Sequence, residues 1–130
     1  MKIKSIVILS AALLAGAALS YTLLHKQPAK SIETSSVENL NALVAENYQA
    51  VNSQFDESMS RALPVEKLST TWSAFTKSAG RFKRVQQIHT GTSGQFEVAS
   101  LRCEFERVVV DVRFCYDQKG KITGFWIVPV

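Results

Sequence analysis

Several residue types on which common site chemistries depend are scarce in this sequence. Its 130 residues include two histidines, two cysteines, three prolines and six glycines. So few prolines and glycines argue against a low-complexity or fibrous chain, and 46% hydrophobic with 20% charged residues is typical of a globular protein. The length fits a single domain.

The scarcity of histidine limits the chemistry that the chain can support. Neither His25 nor His89 has a cysteine, an aspartate or a second histidine at the spacing of metal ligands. Nucleophilic catalysis needs a nucleophile, a base and an orienting group, and no Gly-x-Ser-x-Gly motif is present. The segment Thr90–Gly94 lacks the Gly-Lys-Ser/Thr ending of a phosphate-binding loop and is interpreted as a hairpin turn. We therefore predict no metal, no cofactor and no catalytic residue.

An excess of one sign of charge is also missing from most of the chain. The protein has 15 basic and 11 acidic residues, but four of the lysines precede the first acidic residue, Glu33. Residues 31–130 therefore carry eleven side chains of each sign and are formally neutral. Proteins that bind nucleic acids usually carry a basic surplus, so we predict no nucleic-acid partner.

The N-terminus has the pattern of a targeting segment. Residues 1–4 carry two lysines, and Ser5–Leu19 is an uncharged stretch rich in alanine and leucine, as in secretory signals. The small residue Ser20 favours cleavage after position 20, which makes residues 1–20 a signal peptide. Alternatively, residues 6–24 stay attached as an inner-membrane anchor, because they are long enough to cross a bilayer. Both alternatives place the rest of the chain outside the cytoplasm, in the periplasm or secreted, after a polar linker over residues 25–36.

The first half of the remaining chain is predicted to be helical. Ser35 and Glu38 predict a capping box, and apolar residues three and four apart predict a helix that runs to about Phe55. Asp56 can cap a second, shorter helix. Pro64 is favoured in the first turn of a third helix, which runs to about Ala79.

The second half is predicted to form a sheet, because the apolar period changes to two after Gly80. The predicted strands are Phe82–Thr90, Gln95–Glu106, Val108–Asp117 and Ile122–Val128. Residues 37–130 are therefore expected to form one α+β domain, with the helices packed on one face of a four-stranded antiparallel sheet.

Strand alternation also bears on the cysteines. Cys103 shares its predicted face with Leu101 and Phe105, whereas Cys115 shares the opposite face with Asp111. Exported proteins usually pair their cysteines, but two cysteines on opposite faces of a sheet cannot bond without a bulge. We therefore predict no disulfide between Cys103 and Cys115.

Scattered core and turn residues resemble a known family. They are Phe55-Asp56, Met59, Ala62-Leu63-Pro64, Leu68, Trp72, Gly80, Phe82, Leu101–Glu106, Asp117, Gly120-Lys121-Ile122 and Gly124-Phe125. Over about residues 37–128 this pattern resembles the bacterial domain of unknown function numbered 3887. The resemblance implies a cystatin-like fold of the nuclear transport factor 2-like (NTF2-like) type, in which helices on a curved sheet often enclose a conical pocket. It implies no catalytic residues.

The apolar residues predicted to face one another suggest a non-catalytic binding or assembly module. We predict that these residues either line a pocket for a small apolar ligand or fill the core. They are Tyr48, Phe55, Trp72, Leu101, Phe105, Val110 and Phe114. Alternatively the protein self-associates through the outer sheet face, because strict alternation puts Ile122, Trp126 and Val128 on the face opposite Phe125 and Ile127.

An enzyme is the other alternative. Folds of this type support acid–base chemistry in isomerases and dehydratases, which would require a buried carboxylate here. Asp56 and Glu66 are predicted at helix N-termini, and Glu104 and Asp111 on the outer face beside arginines. We therefore predict none of these four carboxylates inside the fold.

Overall fold

The computed structural model describes residues 30–130, which form four helices followed by four strands. They are α1 (Ile32–Val44), α2 (Tyr48–Asn52), α3 (Glu57–Ala62), α4 (Val65–Ala79), β1 (Phe82–Ser93), β2 (Phe96–Phe105), β3 (Val109–Tyr116) and β4 (Ile122–Pro129). The predicted leader, with its alternative as an anchor, lies outside the described residues. Within residues 30–130 no helix is long and apolar enough to span a membrane.

Helix α1 begins earlier than the capping pattern predicted. Ser31 is the N-cap, and its hydroxyl accepts a hydrogen bond from the backbone N–H of Thr34 at 3.1 Å. Ser35 lies inside the helix, so the predicted capping box is wrong. The helix therefore extends into the segment predicted as a linker, and Ser36 is fully buried.

The single helix predicted to reach Phe55 is instead two helices. The chain breaks at Glu46, whose φ of 62° is incompatible with a continuing right-handed helix. The N–H of Glu46 donates to Leu43 O at 2.9 Å, which satisfies a carbonyl at the end of α1. Asn47 then caps α2 through its side-chain oxygen. The apolar spacing persists across the break, which is why the pattern did not reveal it.

The boundaries of the next two helices are as predicted. The Asp56 carboxylate accepts a hydrogen bond from the N–H of Met59 at 2.7 Å at the start of α3. Pro64 directly precedes α4, and Gly80 with φ 86° ends it. These signals are local to the backbone, so the sequence alone reveals them.

The sheet is an antiparallel meander with the strand order β1-β2-β3-β4. Strand β1 continues through Thr90 to Ser93, and the reversal is a tight turn at Gly94, which has φ 63°. The predicted loop over residues 91–94 is therefore wrong in extent. Its four-residue polar run is compatible with an exposed strand end.

β-Bulges in β1 and β4 alter which side chains of the sheet face the helices. Register shifts leave one extra residue after Phe82 and another after Val85, so β1 directs Phe82, Val85 and Ile88 inward at steps of three. A further shift in β4 turns Ile122 to the inner face, where it is fully buried. The predicted placement of Ile122 beside Trp126 on the outer face is therefore wrong.

The core lies between the inner sheet face and the four helices. Helix α1 contacts β1 and β2, whereas α3 contacts β4. The residues just before α3 add a short parallel bridge, in which Ile122 N–H donates to Gln54 O and Asp56 N–H donates to Ile122 O. The helices and sheet thus form a two-layer α+β fold, as predicted.

Candidate functional site

A groove of about 570 Å³ opens at one end of the fold. Its walls are the turn between α1 and α2, one side of α4, the start of β1 and the end of β2. The lining residues are Val44, Glu46, Tyr48, Trp72, Ser73, Thr76, Lys77, Gly80, Arg81, Phe82, Phe105 and Glu106. This volume lies within the range of small-molecule sites.

Aromatic side chains form the floor of the groove. Trp72 of α4 meets Phe105 of β2 with ring centroids 6.0 Å apart, and Phe82 of β1 meets Phe105 at 5.5 Å. Both contacts are edge-to-face, and Phe75 packs against Phe105 at 5.0 Å. The rings are fixed because they continue the hydrophobic core. Trp72 and Phe105 are only 3% and 2% exposed, so the floor consists of the partly exposed Phe82 and of the edges of these two rings.

Gly80 and Glu106 form one wall through a close approach. A β-carbon at Gly80 would lie 2.7 Å from Glu106 Cβ, so a larger residue does not fit there. The Glu106 carboxylate accepts the N–H of Arg81 at 2.8 Å, and this hydrogen bond, with nearby cations, lowers the pKa of Glu106. Glu106 is therefore ionised and already bonded, which is the wrong state for a general acid.

The same wall is joined to α4 by Arg107. Its guanidinium donates to Ser78 O at 2.9 Å and to Lys77 O at 3.1 Å, and its backbone N–H donates to Ala79 O at 2.8 Å. These are carbonyls that the helix end leaves without partners. A cation at a helix C-terminus is also favoured by the helix dipole. The β2–β3 turn therefore fixes the end of α4 and the shape of the groove.

The mouth of the groove carries charges of both signs. Glu46 lies on the α1–α2 turn and Lys77 lies in the last turn of α4. Within residues 30–130 neither forms an ion pair, whereas Arg81 approaches Glu106 at 3.8 Å with its side chain 90% exposed. The groove thus combines an apolar floor with a mixed-charge mouth.

Of the seven residues predicted to line a pocket or fill the core, three line the groove and four do not. Tyr48, Trp72 and Phe105 line the groove. The other four lie in the closed core: Phe55, Leu101, Val110 and Phe114. The prediction missed the polar lining on α4, although Thr76 follows Trp72 by four residues and Ser73 by three, the steps that place side chains next to one another on a helix.

None of the four carboxylates considered for catalysis lines the groove. Asp56 caps α3, Glu66 is exposed in the first turn of α4, and Glu104 pairs with Arg84 at 2.7 Å. Asp111 lies on the outer face as predicted, but it is only 8% exposed.

The burial of Asp111 is compensated by Arg102 on the neighbouring strand. Arg102 donates to both carboxylate oxygens of Asp111, at 2.9 and 3.2 Å. These bonds hold the pKa of Asp111 below its usual range. Asp111 is thus a paired carboxylate of the sheet surface and is unsuited to act as a general base.

The outer face surrounding this ion pair includes an exposed aromatic residue. Trp126 is 51% exposed, and its indole lies over Gly124. In the cross-strand register, Arg113 is opposite Trp126, and Cys115 is opposite Gly124. Apolar and cationic groups therefore occur together on this face.

The two cysteines lie on opposite faces of the sheet and are both free thiols. Cys103 is fully buried, and burial raises its pKa to about 12. Cys115 is partly exposed on the outer face. Among residues 30–130 no three histidine, cysteine, aspartate or glutamate side chains cluster as metal ligands, and His89 is exposed with its ring bonded to Gln87 at 2.7 Å.

One protein family matches most of the described residues. The family described as "Protein of unknown function (DUF3887)" matches residues 36–125, and the chain is a member of it. No curated protein and no solved structure matches the chain significantly.

Proposed function

We propose that this protein is an exported, non-catalytic binding module whose groove holds a small ligand with an apolar body. The observation that carries the proposal is the aromatic floor formed by Trp72, Phe82 and Phe105 beneath an open volume of about 570 Å³. A pre-formed apolar surface with a few polar groups at its mouth is the usual form of a ligand site.

Two further parts of the proposal come from the sequence. The apolar leader after Lys4 supports export, with residues 1–20 removed or residues 6–24 kept as an anchor. Helices packed on one face of an antiparallel meander support membership of the cystatin-like, NTF2-like superfamily. The enzyme alternative has less support, because the four carboxylates considered for it lie outside the groove and Glu106 is already bonded.

The groove can be tested by filling it. Ser73 lines the groove on α4, and Ser73→Phe places a phenyl ring within it. Thr70→Phe adds the same ring to an exposed site on the same helix and is the matched control. The probe is the fluorophore 1-anilinonaphthalene-8-sulfonate, and native mass spectrometry of unreduced protein detects any ligand retained from the cell.

We expect the fluorophore and any retained adduct to bind the wild type and Thr70→Phe, and Ser73→Phe to lose both. A third variant, Trp126→Ser, removes the exposed aromatic residue of the outer face. Fluorophore binding that survives Ser73→Phe but disappears in Trp126→Ser contradicts the groove proposal.

Self-association through the outer face is a second candidate function, favoured by the half-exposed indole of Trp126. Cys115 provides a built-in probe, because it is the partly exposed thiol on that face while Cys103 is buried. If two copies pair there, maleimide labelling of Cys115 falls as protein concentration rises, and Trp126→Ser restores it. Labelling that is independent of concentration, together with a monomer in solution, contradicts self-association.

A further inference from the structure

The groove lining includes two opposite charges, on different elements, that form no ion pair within residues 30–130. Within residues 30–130, four charged side chains line the groove: Glu46, Lys77, Arg81 and Glu106. Glu106 is occupied by the N–H of Arg81 and lies 3.8 Å from its guanidinium. The Glu46 carboxylate and the Lys77 amine lie on different elements, and neither forms a salt bridge within residues 30–130.

Both of these charges come from constrained backbone. Glu46 stands in the left-handed region at φ 62°, where only a few per cent of non-glycine residues occur. Its N–H donates to Leu43 O, so the turn is closed by a hydrogen bond. Lys77 lies in a helix whose end is held by Arg107, which donates to Lys77 O. Each charge therefore originates from a defined position at the mouth.

This arrangement selects among the ligands that the aromatic floor could hold. A purely apolar ligand would remove water from both charges and return no compensating contact. A ligand with one charge would match either Glu46 or Lys77 and leave the other unmatched. A ligand with an ammonium group and a carboxylate on an apolar body matches both side chains.

We propose that the groove binds a short apolar peptide with both ends free. Its ammonium group lies toward Glu46, its carboxylate lies toward Lys77 and Arg81, and its side chains contact Phe82 and the exposed edges of Trp72 and Phe105. The hydroxyls of Ser73 and Thr76, on the same helix as Lys77, also line the groove and can accept a peptide N–H, although the Thr76 hydroxyl itself donates to Ser73 O. This inference rests on the proposed function of the groove.

The test uses Trp72 as the reporter. The chain has two tryptophans, so Trp126→Phe leaves Trp72 in the groove as the sole source of indole emission. The probes are the dipeptide Leu-Phe, its N-acetyl form, its C-terminal amide and the form blocked at both ends. The four differ in charge but share the same apolar body.

We expect Leu-Phe to bind with a dissociation constant of about 0.1–1 mM, as its size allows. Blocking either end is expected to weaken binding about threefold to fivefold, the upper part of the range for exposed ion pairs, and blocking both ends to weaken it about tenfold or more. In Glu46→Gln, N-acetylation no longer changes the affinity. In Lys77→Gln, the effect of amidation shrinks. Lys67→Gln, an exposed lysine of the same helix away from the groove, keeps the full pattern.

The outcomes distinguish a failure of this inference from a failure of the proposed function of the groove. If the doubly blocked dipeptide binds as tightly as the free one, the dipolar ligand is wrong while the groove remains a binding site. The inference is equally wrong if no dipeptide alters Trp72 emission while the fluorophore still binds in a way that Ser73→Phe abolishes. If the fluorophore also fails to bind the groove, the proposed function itself fails.

Discussion

The indole of Trp126 occupies the space above Gly124 into which a β-carbon would project. The two residues lie on the same strand and the same outer face, so the missing side chain at position 124 provides the surface on which the ring rests. This contact explains why Gly124 is buried although it lies on the side of the sheet away from the helices. It also determines where the exposed half of the indole faces.

Gly124→Ala is expected to displace the ring. The backbone at Gly124 does not require glycine, and the clashing atoms are the far end of a side chain that can rotate. The loss of packing is offset by the preference of strands for alanine over glycine, so unfolding free energy should change by less than about 1 kcal/mol. Acrylamide quenching of tryptophan emission should increase, because Trp72 is buried and Trp126 becomes more exposed. Unchanged quenching would show that the ring does not rest on Gly124.

Gly80→Ala is expected to destabilise the protein by about 1–3 kcal/mol, the cost of a non-glycine residue in a sparsely populated conformation. Its φ is 86°, and the added carbon also meets Glu106. Urea unfolding measures the loss. Gly91→Ala is the control, since nothing lies within 4 Å of its added carbon, and we expect a change within about 0.5 kcal/mol. Equal effects at the two positions would refute the close approach that shapes the groove wall.

Tyr116→Phe is expected to cost about 1–2 kcal/mol through an unsatisfied polar group. The buried Tyr116 hydroxyl lies 2.7 Å from Ser36 Oγ and accepts a longer bond from Asn39 Nδ2 at 3.5 Å. Removing it leaves the buried Ser36 hydroxyl without this partner. Tyr48→Phe serves as the control, because the Tyr48 hydroxyl makes no hydrogen bond within residues 30–130. A double-mutant cycle with Ser36→Ala should show coupling, and strictly additive losses would contradict the bond.

Cys103 is expected to make stability fall at alkaline pH. Burial raises its pKa to about 12, and its Sγ donates to Leu101 O at 3.3 Å. The unfolded chain releases this proton near the ordinary thiol pKa of about 8.5, while the folded chain keeps it. The unfolding free energy should therefore decrease as pH rises from about 8.5 toward 12.

Urea unfolding of Cys103→Ala across this range provides the measurement. The variant is less stable throughout, but its loss between about pH 8.5 and 10 should be shallower than that of the wild type. Cys115→Ala is the comparison, because the partly exposed Cys115 is less desolvated and its removal should change the slope less. The same slope in wild type and Cys103→Ala would contradict a protonated buried thiol.

The elements that the sequence predicted well are those specified by local chemistry. Asp56, Pro64 and Gly80 each mark a boundary through a backbone requirement, so the limits of α3 and α4 were predicted close to where they lie. The strands after Gly80 followed from alternation. The break at Glu46 was missed because Val44 and Tyr48 keep the helical spacing across it, and nothing in that spacing reports a positive φ.

The groove was only partly predictable for a similar reason. Trp72 and Phe105 followed from the apolar faces of a helix and a strand. The charges at the mouth did not, because Glu46 reaches the groove only through the missed turn. In β1 the bulges after Phe82 and Val85 interrupt alternation, so a period of two does not report which residues of this strand face the helices. Tertiary features that depend on one irregular residue leave no periodic signal.

The irregular register of the sheet also determines whether another strand could add to it. A regular edge presents N–H and C=O groups at constant spacing and can recruit a strand from another chain. The two bulges near the start of β1 disrupt that spacing on one border. On the other border, β4 has its own bulge and ends at Pro129, which has no N–H to donate. Both borders are therefore poor templates, and we expect the folded protein to resist edge-to-edge aggregation even when it is concentrated.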